Sequence, residues 1–176
     1  MENDPTGAGY NSHAQVEADT DALAYTCDTG GHYGFISTFT ISADGSTITE
    51  VATLEHDATR GTSNSLIKVD ADTYALAYEG PDFDGFISTF TISADGSTIT
   101  EVATLEHDTT YGPFNSLVKV YAYTYALASE SPFYDGSIST FRISADGCTF
   151  TDVASLALVS TYCRFTTTPP AAYYAN

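Results

Sequence analysis

An identical internal repeat constrains the fold of this chain more than any other feature. The 24 residues GFISTFTISADGSTITEVATLEHD occur at 34–57 and again, letter for letter, at 85–108, and an altered third copy begins at Gly136. The period is 51 residues, because Gly34, Gly85 and Gly136 are equivalent. A unit of this length cannot bury its apolar surface alone, so the units are expected to pack against one another.

The repeat extends beyond the identical stretch. NSLIKVDADTYALAY at 64–78 recurs as NSLVKVYAYTYALAS at 115–129 and, diverged, as NSHAQVEADTDALAY at 11–25. We therefore interpret the chain as a single repeat domain, 1–176. Its parts are an N-terminal extension (1–10), three repeats (11–63, 64–114 and 115–159) and the remnant of a fourth repeat with a tail (160–176).

Each repeat is predicted to form four short strands. In the second repeat they are SLIKV, TYALAY, FISTFTI and TITEVATLE, which alternate or are β-branched and are bounded by turn residues. The ADGS segments around Asp44, Asp95 and Asp146 predict hairpin turns, because Asp-Gly supplies the positive φ that a two-residue turn requires. PDFDG at 81–85 predicts a longer loop.

The strand TYALAY separates large side chains from small ones. Tyr74, Leu76 and Tyr78 share one face of the strand, whereas Ala75 and Ala77 share the other. Neither face is polar, so both are predicted to be at least half buried. Large side chains of one sheet are expected to meet small ones of the next.

A unit of this length with four antiparallel strands and two buried faces is the pattern of a β-propeller blade. The composition agrees, because 13 Tyr, 10 Phe and only five Lys and Arg favour strands over helices. We predict an all-β, propeller-like fold of three four-stranded antiparallel blades. A β-trefoil or β-prism with threefold pseudosymmetry is the alternative, although a ricin-type trefoil carries Gln-x-Trp in each repeat and this chain has no Trp.

The pattern DTYALAY…DGFISTFTISADGSTITEVATLEHD resembles the highly repetitive propeller-like repeats of environmental and marine bacterial sequences, from residue 11 to about 159. That resemblance implies a fold and brings no activity with it. SADGST also resembles the Asp-box of sialidase propellers, but it is one residue short before its Gly and lacks the Trp. No sialidase chemistry is therefore carried over.

The charge of the chain excludes one class of partner. Five basic and 23 acidic residues give a net charge of −18, which repels phosphate backbones, so nucleic acid is not expected to bind.

No run of 18 apolar residues is present, and we predict no membrane span. The opening MENDPTGAG lacks a secretory pattern, and extracellular and cytoplasmic locations both stay open. Cys27, Cys148 and Cys163 belong to no CxxC motif and are interpreted as incidental thiols, although two of them could pair in an oxidising compartment.

Two groups of acidic residues were considered as metal sites. Asp82, Asp84 and Asp135 lie in predicted loops, and their oxygens would suit calcium, although a full calcium loop needs more ligands. No other cofactor is predicted. The Glu-His-Asp triplets at 55–57 and 106–108 alternate in direction along a strand, so we interpret them as strand-end structure. They are expected to be replaceable, because the third copy has Ala-Leu-Val there.

Aromatic residues in predicted loops are the remaining candidate site. Their rings could stack on sugars or on a partner protein, or they could simply plug the ends of the blades. They are Tyr33, Phe83, Tyr111, Phe114, Phe133 and Tyr134.

The sequence predicts a non-enzymatic module for binding or scaffolding, because no phosphate loop, GxSxG, HExxH or CxxC motif occurs. Glycan binding through the loop aromatics and a purely structural, self-assembling role are the two versions, and an enzyme of unknown reaction is the competing class. Three blades do not close a ring, so the outer faces of the first and third units would be exposed. We predict a homodimer that completes a six-bladed ring, or a filament if the same contact does not close.

Overall fold

The described residues fold into three antiparallel sheets of four strands each, and this confirms the predicted propeller-like, all-β fold. The computed structural model describes residues 8–28, 30–130 and 135–158. Each sheet contains the strands of one repeat in chain order, which is the organisation of propeller blades rather than of the trefoil or prism alternative.

Blade 1 consists of β1 (Ala8–Gln15), β2 (Thr20–Cys27), β3 (Tyr33–Ile41) and β4 (Ile48–Asp57). Blade 2 consists of β5 (Thr62–Lys68), β6 (Thr73–Glu79), β7 (Gly85–Ile92) and β8 (Ile99–Asp108). Blade 3 consists of β9 (Ser116–Tyr121), β10 (Thr124–Glu130), β11 (Gly136–Ile143) and β12 (Phe150–Leu158). A short 3₁₀ turn, Pro81–Phe83, lies between β6 and β7.

The first strand of each blade lies next to the first strand of the following blade. The backbone N–H of Leu66 in β5 donates to Ser12 Oγ in β1 at 2.8 Å, and Leu117 N–H in β9 donates to Ser65 Oγ in β5 at 2.9 Å. The same bond therefore joins both pairs of blades, and β1, β5 and β9 form the inner edge of the stack.

Each blade has two different faces. We call the side with the two alanines of the second strand the alanine face, and the opposite side the aromatic face. The alanine face of blade 1 packs on the aromatic face of blade 2, and blade 2 packs in the same way on blade 3. In the first junction Ala22, Ala24 and Ile36 lie against Tyr74, Leu76, Tyr78, Phe90 and Ile92. The predicted contact of large with small side chains is confirmed.

Polar bonds repeat with the blades as well. Thr38 Oγ1 donates to the carbonyl of Gly96 in the next blade at 2.7 Å, and Thr89 Oγ1 donates to Gly147 at the same distance. Lys68 Nζ donates to the Val16 carbonyl of the preceding blade at 2.8 Å. Each junction between blades is therefore a repeated unit of apolar packing and fixed hydrogen bonds.

The ADGS turns differ from the prediction. Ser42 N–H donates to the Thr47 carbonyl at 3.0 Å, so the loop contains four residues, 43–46, rather than two. The Asp44 carboxylate accepts from Ser42 Oγ at 2.7 Å and from Ser46 N–H at 3.1 Å, and these bonds lower the pKa of Asp44 to about 2. Gly45 supplies the predicted positive φ, at 69°. The loop is longer because the aspartate side chain fills its centre.

Candidate functional site

The structure describes four of the six aromatic residues that the sequence singled out. Tyr33 and Tyr111 are half-buried, whereas Phe83 and Phe114 are 51% and 69% exposed. Phe133 and Tyr134 lie outside the described residues.

The four described rings do not share one environment. The Arg60 guanidinium lies over the Phe83 ring, 4.3 Å from its centroid, and also pairs with Glu79. Phe114 instead lines a small cavity together with Tyr10, a residue that the sequence did not single out. Phe83 therefore has a structural partner within the chain, while Phe114 is open to a ligand.

The predicted calcium ligands do not form a donor set. Asp82 and Asp84 flank Phe83 in the loop before β7, and Asp135 precedes β11 in another blade. Across residues 8–28, 30–130 and 135–158 no group of three or more His, Cys, Asp or Glu side chains could hold a metal ion. The calcium hypothesis gains no support from this placement.

The histidines of the Glu-His-Asp triplets are packed into the junctions between blades. The His56 ring meets the Tyr78 ring edge-on, with centroids 4.8 Å apart, and it covers Gly34 and Gly61. Burial lowers the pKa of His56 to about 3, so the ring is neutral at neutral pH. This placement agrees with a role in strand-end structure, and the expectation that the triplets are replaceable stays a prediction.

The third blade shows what replaces the histidine. His107 lies 5.9 Å from Phe141 and covers Gly85, as His56 does in the preceding junction. At the equivalent position Leu158 lies beside Gly136 and is 55% exposed, because no described blade follows it. An apolar side chain therefore stands where the first two repeats have a histidine.

Blade 3 exposes apolar side chains whose equivalents in blade 2 are in the core. The exposed fractions are 51% for Val118, 47% for Val120, 40% for Ile138 and 59% for Leu156. The residues 51 positions earlier, which belong to the second core cluster or pack against it, are Ile67, Val69, Ile87 and Leu105. The alanine face of blade 3 therefore has the surface of a junction and no described neighbour.

The aromatic face of blade 1 is the opposite half of such a junction. Its Tyr25 and Phe35 rings are stacked with centroids 5.7 Å apart, and the equivalent Tyr78 and Phe86 rings in the first junction are 5.6 Å apart. This face therefore has the same ring geometry whether or not a blade covers it. Its half-buried apolar residues are Leu23, Tyr25, Phe35, Phe39 and Ile41.

The inner end of the blade 1 face is polar. Asp21 stands where blade 2 has Tyr74, and His13 stands where blade 2 has Leu66. His13 Nε2 and Asp21 Oδ1 are 2.7 Å apart. The sequence signal for this difference was the diverged segment DTDALAY. Because the inner end is polar here, the apolar part of the blade 1 face is confined to the middle and outer strands.

Solved structures of β-propeller-like proteins are similar to this chain. Sqt1 from Saccharomyces cerevisiae matches with a TM-score of 0.52 and 12% identity, over 85% of this chain and 34% of that one. A hypothetical selenium-binding protein from Sulfolobus tokodaii matches with a TM-score of 0.57 and 9% identity, over 80% and 38%. A protein from Lactobacillus plantarum matches with a TM-score of 0.53 and 15% identity, over 86% and 56%.

These comparisons define the fold class of the chain as β-propeller-like, and identities this low show the fold alone. The chain spans between about a third and just over half of the length of those structures. No protein-family model matches it, and no curated protein does. Among the described residues no helix is long and apolar enough to cross a bilayer.

Proposed function

We propose that this chain is a non-enzymatic scaffold that assembles with a second copy of itself through its two terminal blade faces. The alanine face of blade 3 receives the aromatic face of blade 1 of the other chain. Two such contacts related by a twofold axis give a ring of six blades. The observation that carries the proposal is the pair of complementary faces, each equivalent to one side of a junction inside the chain.

The apolar surface supports this assembly. A blade face that contains Ile138 and Leu156 at 40% and 59% exposure is unfavourable in water, and burying such side chains is the main driving force of association. The internal junctions show that this residue pattern packs well against Tyr, Leu and Phe. A second copy supplies that partner surface on blade 1.

A fixed hydrogen bond also fits the proposed contact. Thr38 and Thr89 each donate to a glycine carbonyl in the ADGS turn of the next blade. Thr140 is the equivalent residue of blade 3, and Gly45 is the equivalent glycine of blade 1. In the assembled ring Thr140 Oγ1 would donate to Gly45 of the second copy.

The size of the chain is consistent with a partial ring. It covers 34–56% of the length of the three propeller-like structures, so its three blades correspond to part of such a protein. The polar inner end of the blade 1 face leaves room for solvent near the ring axis, where Asp21 and His13 lie. The apolar contact is then made by the second, third and fourth strands.

Light scattering on a size-exclusion column tests the proposal. The wild-type chain is expected to elute at micromolar concentration as a dimer of 18.7 kDa subunits. Ile138→Asp is expected to weaken the dimer by about a hundredfold, because it places an unpaired carboxylate in the apolar contact.

Val153→Asp is the matched control. Like Ile138, Val153 is an exposed β-branched residue of blade 3, at 51%, but its equivalent Val102 belongs to neither core cluster. This variant should dimerise like the wild type. A chain that stays monomeric at all concentrations, or that is affected equally by both substitutions, would overturn the proposal. A mass that grows with concentration would show the open, filament form of the same contact.

A further inference from the structure

We propose that the chain carries a binding site for a neutral sugar ring at one end of its inner strands. The site is a cavity of about 200 Å³ whose lining residues are Tyr10, Asn11, Ser63, Asn64, Phe114 and Asn115. It lies within a single chain, so it does not depend on assembly.

The lining is built from one motif used three times. Tyr10-Asn11, Ser63-Asn64 and Phe114-Asn115 are equivalent residue pairs, each at the entry to the innermost strand of a blade. The first two pairs lie within register shifts of the sheet, between positions 9 and 12 and between positions 62 and 65. The topology therefore brings three side-chain amides to one place.

The backbone of this motif is strained in every blade. Tyr10, Ser63 and Phe114 have φ values of 52°, 54° and 55°, in the left-handed region that glycine and asparagine tolerate and bulky residues rarely adopt. Fold stability alone would favour glycine at these positions. Strain of this kind is typical of binding sites, where the surrounding structure holds it in place.

The two aromatic members of the motif are exposed as well as strained. Tyr10 is 57% exposed and Phe114 is 69% exposed, and both line the same cavity. Two unfavourable features therefore coincide at two equivalent positions. A ligand that stacks on the rings explains both, because an aromatic face binds the apolar C–H face of a sugar.

The amides supply hydrogen bonds that the protein leaves unused. Asn64 is 8% exposed, and its Nδ2 donates to the Gly61 carbonyl at 3.1 Å. Asn115 Nδ2 donates to the Gly112 carbonyl at 2.8 Å. In the described part of the chain, the Oδ1 atoms of both asparagines are buried and have no hydrogen-bond partner. Buried carbonyl oxygens without a partner are rare, and a rotation of either amide towards the cavity would present its oxygen to a sugar hydroxyl, which is a donor.

The charge and the size of the cavity select the ligand class. None of its lining residues carries a charge at neutral pH, and the chain as a whole is strongly acidic, so an anionic ligand is disfavoured. A volume of about 200 Å³ is below the range of roughly 300–1,000 Å³ for drug-sized ligands. The ligand is therefore a single neutral sugar ring, either free or at the end of a glycan chain.

Binding measurements with a panel of neutral monosaccharides and a panel of neutral glycans test this inference. Neutral monosaccharides are titrated by calorimetry against the full chain, and an array of neutral glycans separates a free sugar from a terminal one. At least one neutral sugar is expected to bind, and Phe114→Gly is expected to weaken it by about tenfold or more. Because glycine relieves the positive φ, the melting temperature of this variant should equal or exceed that of the wild type.

Phe83→Gly is the matched control. Phe83 is also a phenylalanine with a positive φ, 71°, and is 51% exposed, but it does not line the cavity. Sugar binding should be unchanged in this variant. The inference is overturned if no sugar binds from either panel, if Phe83→Gly reduces binding as much as Phe114→Gly, or if Phe114→Gly lowers the melting temperature.

Discussion

Residues 34–57 and 85–108 have the same sequence, yet the structure buries them differently. Phe90 is fully buried at 0% exposure and Ile92 at 1%, whereas the equivalent Phe39 and Ile41 are only half-buried. On the opposite face the copies agree, because Ile36 and Ile87 are both at 0%. The identical segments fold in the same way, and the difference arises from what lies next to each face.

This comparison shows which surfaces of the chain are junctions and which are ends. Both alanine faces of blades 1 and 2 are covered by the following blade, so their residues match. The aromatic face of blade 2 is covered by blade 1, whereas that of blade 1 has no described neighbour. Repeated sequence therefore sets the shape of each face, and position in the stack sets its burial.

Phe90 and Phe39 are equivalent residues with very different burial, so their substitution should have very different costs. Phe90→Ala should lower the free energy of unfolding by about 3–5 kcal/mol, because it leaves a cavity in a closed junction. Phe39→Ala should cost about 1 kcal/mol, since Phe39 is only half-buried. Urea denaturation of both variants in an Ile138→Asp background, which keeps blade 1 uncovered, measures the difference.

Equal costs for the two phenylalanines in that background would mean that blade 1 is already covered by something other than a second copy. In the wild-type background at dimer-forming concentrations, Phe39→Ala should instead weaken association. Measuring Phe39→Ala in both the Ile138→Asp chain and the wild-type chain thus separates packing within one chain from packing between two chains.

Much of the fold could be predicted from sequence, because its signals are local or periodic. Alternation along TYALAY gives the large and small faces, and the Asp-Gly pairs give the turns. The four-residue loop at 43–46 was missed, because its length depends on how the Asp44 carboxylate bonds Ser42 and Ser46. A dipeptide signal does not contain that information.

The cavity could not be predicted, for a different physical reason. Positive φ is normally signalled by glycine or asparagine, but here it occurs at Tyr10, Ser63 and Phe114. Phe114 was singled out for its ring, while Tyr10 and the neighbouring asparagines gave no signal. Their convergence depends on the stacking of three inner strands, which links residues about 50 positions apart.

Gly112 and Gly136, which belong to consecutive repeats, have different surroundings. A Cβ at Gly112 would collide with the backbone of Gly85, whereas the nearest described neighbour of a Cβ at Gly136 would be Leu158 Cδ1, at 3.6 Å. Gly112→Ala should therefore lower the free energy of unfolding by about 1–3 kcal/mol. Gly136→Ala should change it by no more than about 0.5 kcal/mol.

Thermal or urea unfolding of the two variants measures this contrast. Gly136→Ala as damaging as Gly112→Ala would mean that blade 3 is closed by a neighbour as tightly as blades 1 and 2. The two glycine substitutions therefore test whether a neighbour covers blade 3, independently of the two phenylalanine substitutions.

The histidines of the two covered junctions, His56 and His107, should make the free energy of unfolding depend on pH. Burial lowers the pKa of His56 to about 3 and also lowers that of His107, so both bind a proton more readily in the unfolded chain. Their contribution to stability is complete above the ordinary histidine pKa of about 6.5 and is lost as the pH falls towards the folded pKa. For His56 the loss is about 1.4 kcal/mol per pH unit in that window.

The substitution His56→Leu copies Leu158 of the third blade. It should reduce the loss of stability between pH 7 and pH 5.5 by about 1.4 kcal/mol. Urea midpoints of the wild type, His56→Leu and the double variant with His107→Leu measure it, and the double variant should show the flattest profile. A double variant whose midpoint changes between the two pH values as much as that of the wild type would contradict the buried, neutral state of these rings.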